Sequence, residues 1–225
     1  MISAVVFDFD GVLANSEPLH FRAFRDVLAE HGLTLTEAAY YDRYLGFDDV
    51  GAFRAIAADA HVGLGDAQVA ELASRKAERL EVLERGASVL FPGAREAIIR
   101  MARHGPLAIA SGAIRVEIVR VLDREGLRAF FPVLVAAEDA PESKPHPGPY
   151  LTAVELLGAV AGRRVEPGEC VAVEDSRWGL MSAKGAGLHT VAVTHSYAAS
   201  NLAEADVVID HLDELTPELL AGLSR

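Results

Sequence analysis

The segment Phe7-Asp-Phe-Asp-Gly-Val-Leu13 carries an apolar run, Ile2–Phe7, into two aspartates two positions apart, followed at once by Gly11. A spacing of two puts both carboxylates on one side while the backbone stays extended, and Gly11 lets the chain turn away. A short apolar run of this kind reads as a strand covered on both faces. Five more occur downstream: Leu107–Ala110, Val133–Val135, Cys170–Val173, Thr190–Val193 and Val207–Ile209. Periodic, helix-like segments at 93–104, 114–126, 148–158 and 177–186 separate them. Pro92-Gly93 opens the first of these and Gly105-Pro106 closes it. Strands alternating with helices predict an α/β fold, a Rossmann-like three-layer parallel sheet with helices on both faces.

One region breaks this alternation. Between about Ser16 and Val89 no strand is evident, and the pattern predicts helices at Leu19–His31, Leu35–Tyr44, Ala52–Ala60 and Asp66–Glu84. Phe21, Phe24, Val27 and Leu28 line one face of the first. Val69, Leu72, Ala73, Lys76, Leu80 and Leu83 mark one face of the last. Strand-to-helix links normally take about 2–6 residues, so a stretch this long is read as an inserted domain. The expected division is an α/β core at 1–15 and 90–225 and a helical-bundle domain at 16–89. Ligands of open sheets bind beyond the carboxyl ends of the strands. An insertion after the first strand is therefore expected above the site, as a lid.

Composition narrows the function. The 225 residues are 51% apolar and 24% charged, ordinary for a globular enzyme or binding protein. With 21 basic against 33 acidic side chains the net charge is −12. That gives no long-range attraction for nucleic acid or an anionic membrane, so a phosphate site must be built locally. Cys170 is the single cysteine and lies in an apolar run, where it reads as a small buried hydrophobe. No apolar stretch or leader pattern points to a membrane or to secretion. A cytoplasmic monomer is expected.

The strand ends carry the chemistry. Two close carboxylates, Asp8 and Asp10, repel one another and call for a cation; Mg²⁺ prefers such hard oxygen ligands. Glu174 and Asp175 end a later strand and can complete a metal site. Ser111 and Gly112 follow another strand, offering a hydroxyl and amides to a phosphate oxygen. Lys144, in the proline-rich loop Glu142-Ser-Lys-Pro-His-Pro-Gly148, can neutralise phosphate and an attacking carboxylate together. Singly, these residues also fit a solvated turn, a polar loop, a helix cap and a free surface lysine. Together they supply a nucleophile, a proton-transfer group, anion ligands and a metal site.

In order and spacing, Asp8-Phe-Asp-Gly-Val-Leu13, Ser111, Lys144-Pro145 and Glu174-Asp175-Ser176 resemble the motifs of the haloacid-dehalogenase superfamily, over essentially the whole chain. The insertion resembles the helical cap of the subgroup with phosphoglycolate phosphatase, sugar-phosphate phosphatases and β-phosphoglucomutase. The resemblance implies that Asp8 attacks phosphorus and that Asp10 acts as general acid, then base. It implies Mg²⁺ held by Asp8, the Asp10 backbone carbonyl and Asp175, with Glu174 close by or acting through water. Ser111, Gly112 and Lys144 would hold the phosphoryl group. An aspartate at position 10 also argues against carbon–halogen hydrolysis.

The expected activity is therefore Mg²⁺-dependent hydrolysis of a small phosphorylated metabolite, a sugar phosphate or phosphoglycolate-like compound. A sugar phosphomutase is the alternative enzyme, and a phosphate- or Mg²⁺-binding module the non-enzymatic one. In Arg43-Tyr-Leu-Gly-Phe-Asp-Asp49, Leu45 stands where the mutase has a lysine, and acidic residues follow. His20 matches a mutase residue near the proton-transfer aspartate and is kept as support for the acid/base step. Arg43 and Tyr44 are further candidates for reading substrate, whereas Arg75 and Lys76 are expected on a solvated face. Trp178 is expected to pack its helix against the sheet. His104, His189 and His195 lack metal-ligand spacing.

Overall fold

Strand β1 (Ala4–Phe7) is wholly buried, as four apolar residues without a charge or turn-former require. The computed structural model describes residues 2–44, 47, 49–85 and 88–223. After β1 the chain leaves the sheet and forms α1 (Glu17–Glu30), α2 (Glu37–Ala39), α3 (Asp49–Asp59) and α4 (Asp66–Glu84). It then alternates through α5 (Ala94–Ala102), β2 (Leu107–Ala110), α6 (Arg115–Arg124), β3 (Val133–Val135) and α7 (Gly148–Ala161). The last elements are β4 (Cys170–Glu174), α8 (Arg177–Gly185), β5 (His189–Val193), β6 (Val207–Ile209) and α9 (Pro217–Leu223). Contacts divide the chain into two units, Met1–Asn15 with Leu90–Arg225, and Ser16–Val89.

In the first unit the six strands lie parallel in the order β3-β2-β1-β4-β5-β6. The order reverses at β1, which pairs with β2 on one side and β4 on the other. This is the switch point where open α/β sheets gather their ligands. The register sets Phe7 beside Ile109 and Val173, so the residues that follow emerge side by side from one edge. One sheet face is built from Ala4, Val6, Ala108, Ala110, Cys170 and Ala172, packed with Tyr150, Ala153, Val154 and Leu157 of α7. Alanines dominate there because they let a helix approach closely. The next residue along β1 points to the other face, where Phe7 meets Phe131 edge-on at 6.2 Å.

The helical unit has its own core, centred on Phe24 and Phe53 with ring centroids 4.9 Å apart. The helix expected at Leu35–Tyr44 is instead a single turn, α2, continued by the π-helical Tyr40–Tyr44. The wider turn allows Tyr40 and Tyr44 to be buried together. Lys76 corrects a second expectation, because it is 1% exposed rather than on a solvated face. Leu72, Lys76 and Leu80 form one i, i+4 stripe of α4, and that stripe is buried. The Lys76 ammonium donates to Asp49 Oδ1 at 2.7 Å and to His20 Nδ1 at 2.9 Å, and lies 4.8 Å from the Phe24 ring. Arg75 stays at the surface, paired with Glu30.

Trp178 is the third correction. It is 57% exposed, while Leu180 and Ala183 take the inward positions of α8. The short helix α9 was not expected: it packs largely through Leu220, too little for a periodic signal. Leu45, Gly46 and Asp48 lie outside the described residues. No helix among the described residues is long and apolar enough to cross a membrane.

A buried ammonium stripped of its carboxylate costs more than one replaced by a similar apolar chain. Asp49→Ala should therefore destabilise the helical unit by about 1–3 kcal/mol, with His20 and the partial exposure of Asp49 moderating the loss. Lys76→Met should cost less. Urea unfolding followed by far-ultraviolet circular dichroism compares the two; the reverse order would mean that Asp49 does not balance Lys76.

Candidate active site

The carboxyl edge of the sheet brings four sequence-predicted groups together. Asp8 follows β1 directly, and its N–H donates to Val173 O at 2.9 Å, which fixes it beside the end of β4. Its Oδ1 accepts from the Phe9 N–H at 2.7 Å. Lys144 Nζ lies 3.0 Å from the same oxygen and 2.6 Å from Glu174 Oε1. Oxygens of Asp8, Glu174 and Asp175 all fall within 4.8 Å of one another. Ser111, Gly112 and Lys144 line one cavity of about 180 Å³, together with Ala136, Ala137, Ala140 and Pro149. Ser111 is buried, and its Oγ accepts from the Ala113 N–H at 3.2 Å.

Gly11 makes the crowding possible. Its φ of +76° turns the chain after Asp10, and a β-carbon there would sit 1.9 Å from Asp175 Oδ2. Asp10 itself is half-buried within this turn, where Leu13 and Ala14 both donate to Phe9 O. His195 supports the turn from outside: its Nδ1 donates to Gly11 O at 3.0 Å, and its ring stacks on Phe91 at 3.8 Å. Burial pushes the His195 pKa down, which keeps the ring neutral. Its work is structural, in keeping with the lack of metal-ligand spacing.

The electrostatics are those of too many carboxylates for the available ammonium. Burial pushes Asp175 up to about 7, with the charges of Asp8 and Glu174 adding to the rise; Ser196 donates to it and opposes the shift. Burial also raises Glu174, although Lys144 draws it the other way. For Lys144, burial works against the charged form, but Asp8 and Glu174 outweigh it and the net shift is upward. The ammonium therefore stays protonated.

His20 lies in the helical unit, bound to Lys76. Arg43 pairs with Asp59, which also accepts from the Tyr44 hydroxyl at 2.5 Å. Sequence reasoning missed Tyr150, whose buried hydroxyl donates to Glu174 Oε1 at 2.6 Å. The available signal was one phenol on an otherwise aliphatic helix face, six residues after Lys144. Gly179 was missed as well. Its missing side chain is where the Glu174 carboxylate sits, about 1.9–2.0 Å from the position of a β-carbon.

The model of the haloacid dehalogenase-like hydrolases matches residues 2–187. The chain belongs to this family. Hexitol phosphatase B of Escherichia coli K12 is 34% identical, covering 98% of this chain and 97% of its own. Protein CbbY of Rhodobacter capsulatus is 33% identical over 87% of each. A variant of CbbY from Rhodobacter sphaeroides, solved with xylulose-(1,5)bisphosphate, superposes with a TM-score of 0.81 at 29% identity, covering both chains fully. The helical unit is the inserted cap of such hydrolases, and the chain is an enzyme of phosphatase type acting on a small phosphorylated substrate.

The site of this hydrolase suits a divalent cation. Three carboxylates bring hard oxygen donors together while one ammonium offsets part of their charge; Asp175 is raised first by burial and then by its two carboxylate neighbours. Binding that favours the folded chain stabilises it by mass action, by about 2.7 kcal/mol at a hundredfold excess over Kd. Mg²⁺ should accordingly raise the melting temperature by several degrees, and EDTA should reverse the gain. Asp175→Asn should abolish the shift; a full Mg²⁺ response in that variant would remove Asp175 from the metal site.

Proposed function

We propose that this enzyme hydrolyses the phosphate monoester of a small sugar or polyol through a covalent phosphoryl group on Asp8. The observation that carries this reading is the Lys144 ammonium, which contacts Asp8 and lines the same cavity as Ser111 and Gly112. A nucleophile held beside a fixed cation, a hydroxyl and a glycine backbone has what phosphoryl transfer asks of a protein, positioning and charge stabilisation. The kinship with hexitol phosphatase B supports a sugar or polyol ester, with phosphoglycolate-like acids as the nearest competitors.

Asp8 Oδ1 already accepts from Phe9 and Lys144, so Oδ2 is the attacking oxygen. As Oδ2 bonds to phosphorus, the bond from phosphorus to the ester oxygen breaks and Asp10 gives that oxygen its proton. In the second half Asp10 takes a proton from water, whose oxygen attacks phosphorus. Inorganic phosphate leaves, and the Asp8 carboxylate is restored. Ser111, the Gly112 amide and Lys144 bind the phosphoryl oxygens throughout. Asp8, Glu174, Asp175 and the Asp10 backbone carbonyl would hold Mg²⁺, which would polarise the phosphoryl group and screen it from the carboxylates.

Phosphate release from a panel of sugar, polyol and short acid phosphates, with Mg²⁺ or chelator, tests the reading while the organic product is followed. Mg²⁺-dependent release from a sugar or polyol ester is expected. Asp8→Asn should reduce it by about 10⁴-fold or more and end covalent labelling of the protein. Asp10→Asn should cost about 10²–10⁴-fold through lost proton transfer. An isomerised sugar phosphate with little free phosphate would replace hydrolysis by a mutase, whatever Leu45 suggests. Normal labelling of Asp8→Asn would move the nucleophile elsewhere.

A further inference from the structure

Tyr150 sits in the first turn of α7, completely buried, and a phenylalanine would fill the same space at less cost in polar burial. Its hydroxyl is therefore the feature to be explained. That hydroxyl donates to Glu174 Oε1 at 2.6 Å, the same oxygen that Lys144 Nζ contacts at 2.6 Å. The Tyr150 ring also lies beneath the ammonium, 5.1 Å from its centroid. A carboxylate oxygen can only accept, so the phenol is the donor in this contact.

Lysine is a point charge on a flexible four-carbon stem, and Lys144 starts from an irregular loop. The direction of its ammonium depends on its anchors. One anchor is Asp8, the group that reacts. The other is Glu174, and a carboxylate held by a single donor can rotate about its last bond. Two donors from different elements, Lys144 from the loop and Tyr150 from α7, remove that freedom. Among the described residues Oε2 takes the longer contact to Ser176 Oγ at 3.3 Å, which makes it the less engaged oxygen of the two. Gly179 completes the seat, since the carboxylate lies where a β-carbon would project.

The geometry points to Tyr150 as a positioning residue: its hydroxyl locks Glu174 so that one oxygen carries Lys144 against Asp8 and the other serves the metal. This rests on the hydrolase reading above for its kinetic consequence, but not for its binding consequence. Groups that orient a metal ligand typically matter about 10–100-fold to affinity or activity, so Tyr150→Phe should lower kcat/KM by about that factor, chiefly through kcat. The same variant should weaken Mg²⁺, and inorganic phosphate in the presence of Mg²⁺, by about 10-fold in isothermal titration calorimetry. Because the hydroxyl acts through Glu174, Tyr150→Phe combined with Glu174→Gln should be little worse than Glu174→Gln alone. Gly179→Ala displaces Glu174 without touching Tyr150 and should weaken the same two ligands.

Several results would overturn the assignment. One is a Tyr150→Phe protein within twofold of the parent in kcat/KM and in both affinities. Another is a lowered melting temperature with unchanged affinities, the mark of packing alone. Losses from Tyr150→Phe and Glu174→Gln that multiply would count equally against it. If the parent hydrolyses no phosphomonoester yet Tyr150→Phe still weakens Mg²⁺ and phosphate, the hydrolase reading falls and the positioning role stands.

Discussion

Three carboxylates, Asp8, Glu174 and Asp175, share one buried edge of the sheet with a single ammonium, and most of the local structure can be understood as accommodating that repulsion. An isolated buried carboxylate costs several kcal/mol, and Lys144 can offset only part of the total. The chain supplies hydrogen bonds against part of what is left. The Phe9 amide serves Asp8, Tyr150 and Ser176 serve Glu174, and Ser196 serves Asp175. Gly11 and Gly179 give up their side chains so that two of the three carboxylates have room. Such an arrangement is poor as a means of stabilising a fold. It makes physical sense as a cation and phosphate site, where the crowding is relieved when the ligand arrives.

The sheet is what makes the crowding reproducible. A parallel ladder fixes the level of each strand end through its register, and Phe7 is level with Val173. Asp8 and Glu174 therefore emerge together without any side chain having to search for its partner. Ser111 arrives by the same logic through β2, one residue past its ladder, with its N–H on Val135 O. Lys144 is the exception. It comes from a loop, so its placement needs side-chain anchors where the others rely on backbone pairing.

This difference also explains what could be read from the sequence. The six strands were legible because each is a short apolar run set off from the helical segments, and Leu107–Ala110, Val133–Val135 and Val207–Ile209 match the observed bounds. Asp8, Ser111, Glu174 and Asp175 were legible because they stand at those ends. Tyr150, Ser196 and Gly179 were not, because they meet the site through helix and loop geometry that linear spacing does not encode. Lys76 failed for another reason. The apolar stripe on α4 pointed to a buried position, but the residue type argued for solvent, and tertiary partners decided the matter. Asp49, twenty-seven residues away, supplies the charge that makes burial tolerable.

The same contrast bears on how the two units divide their work. In the α/β unit, buried charge is concentrated and left unbalanced, which is what a ligand-binding edge requires. In the helical unit, the buried Lys76 is satisfied internally by Asp49 and His20, and Arg43 is paired with Asp59. Buried charge is thus left for a ligand in one unit and neutralised within the fold in the other.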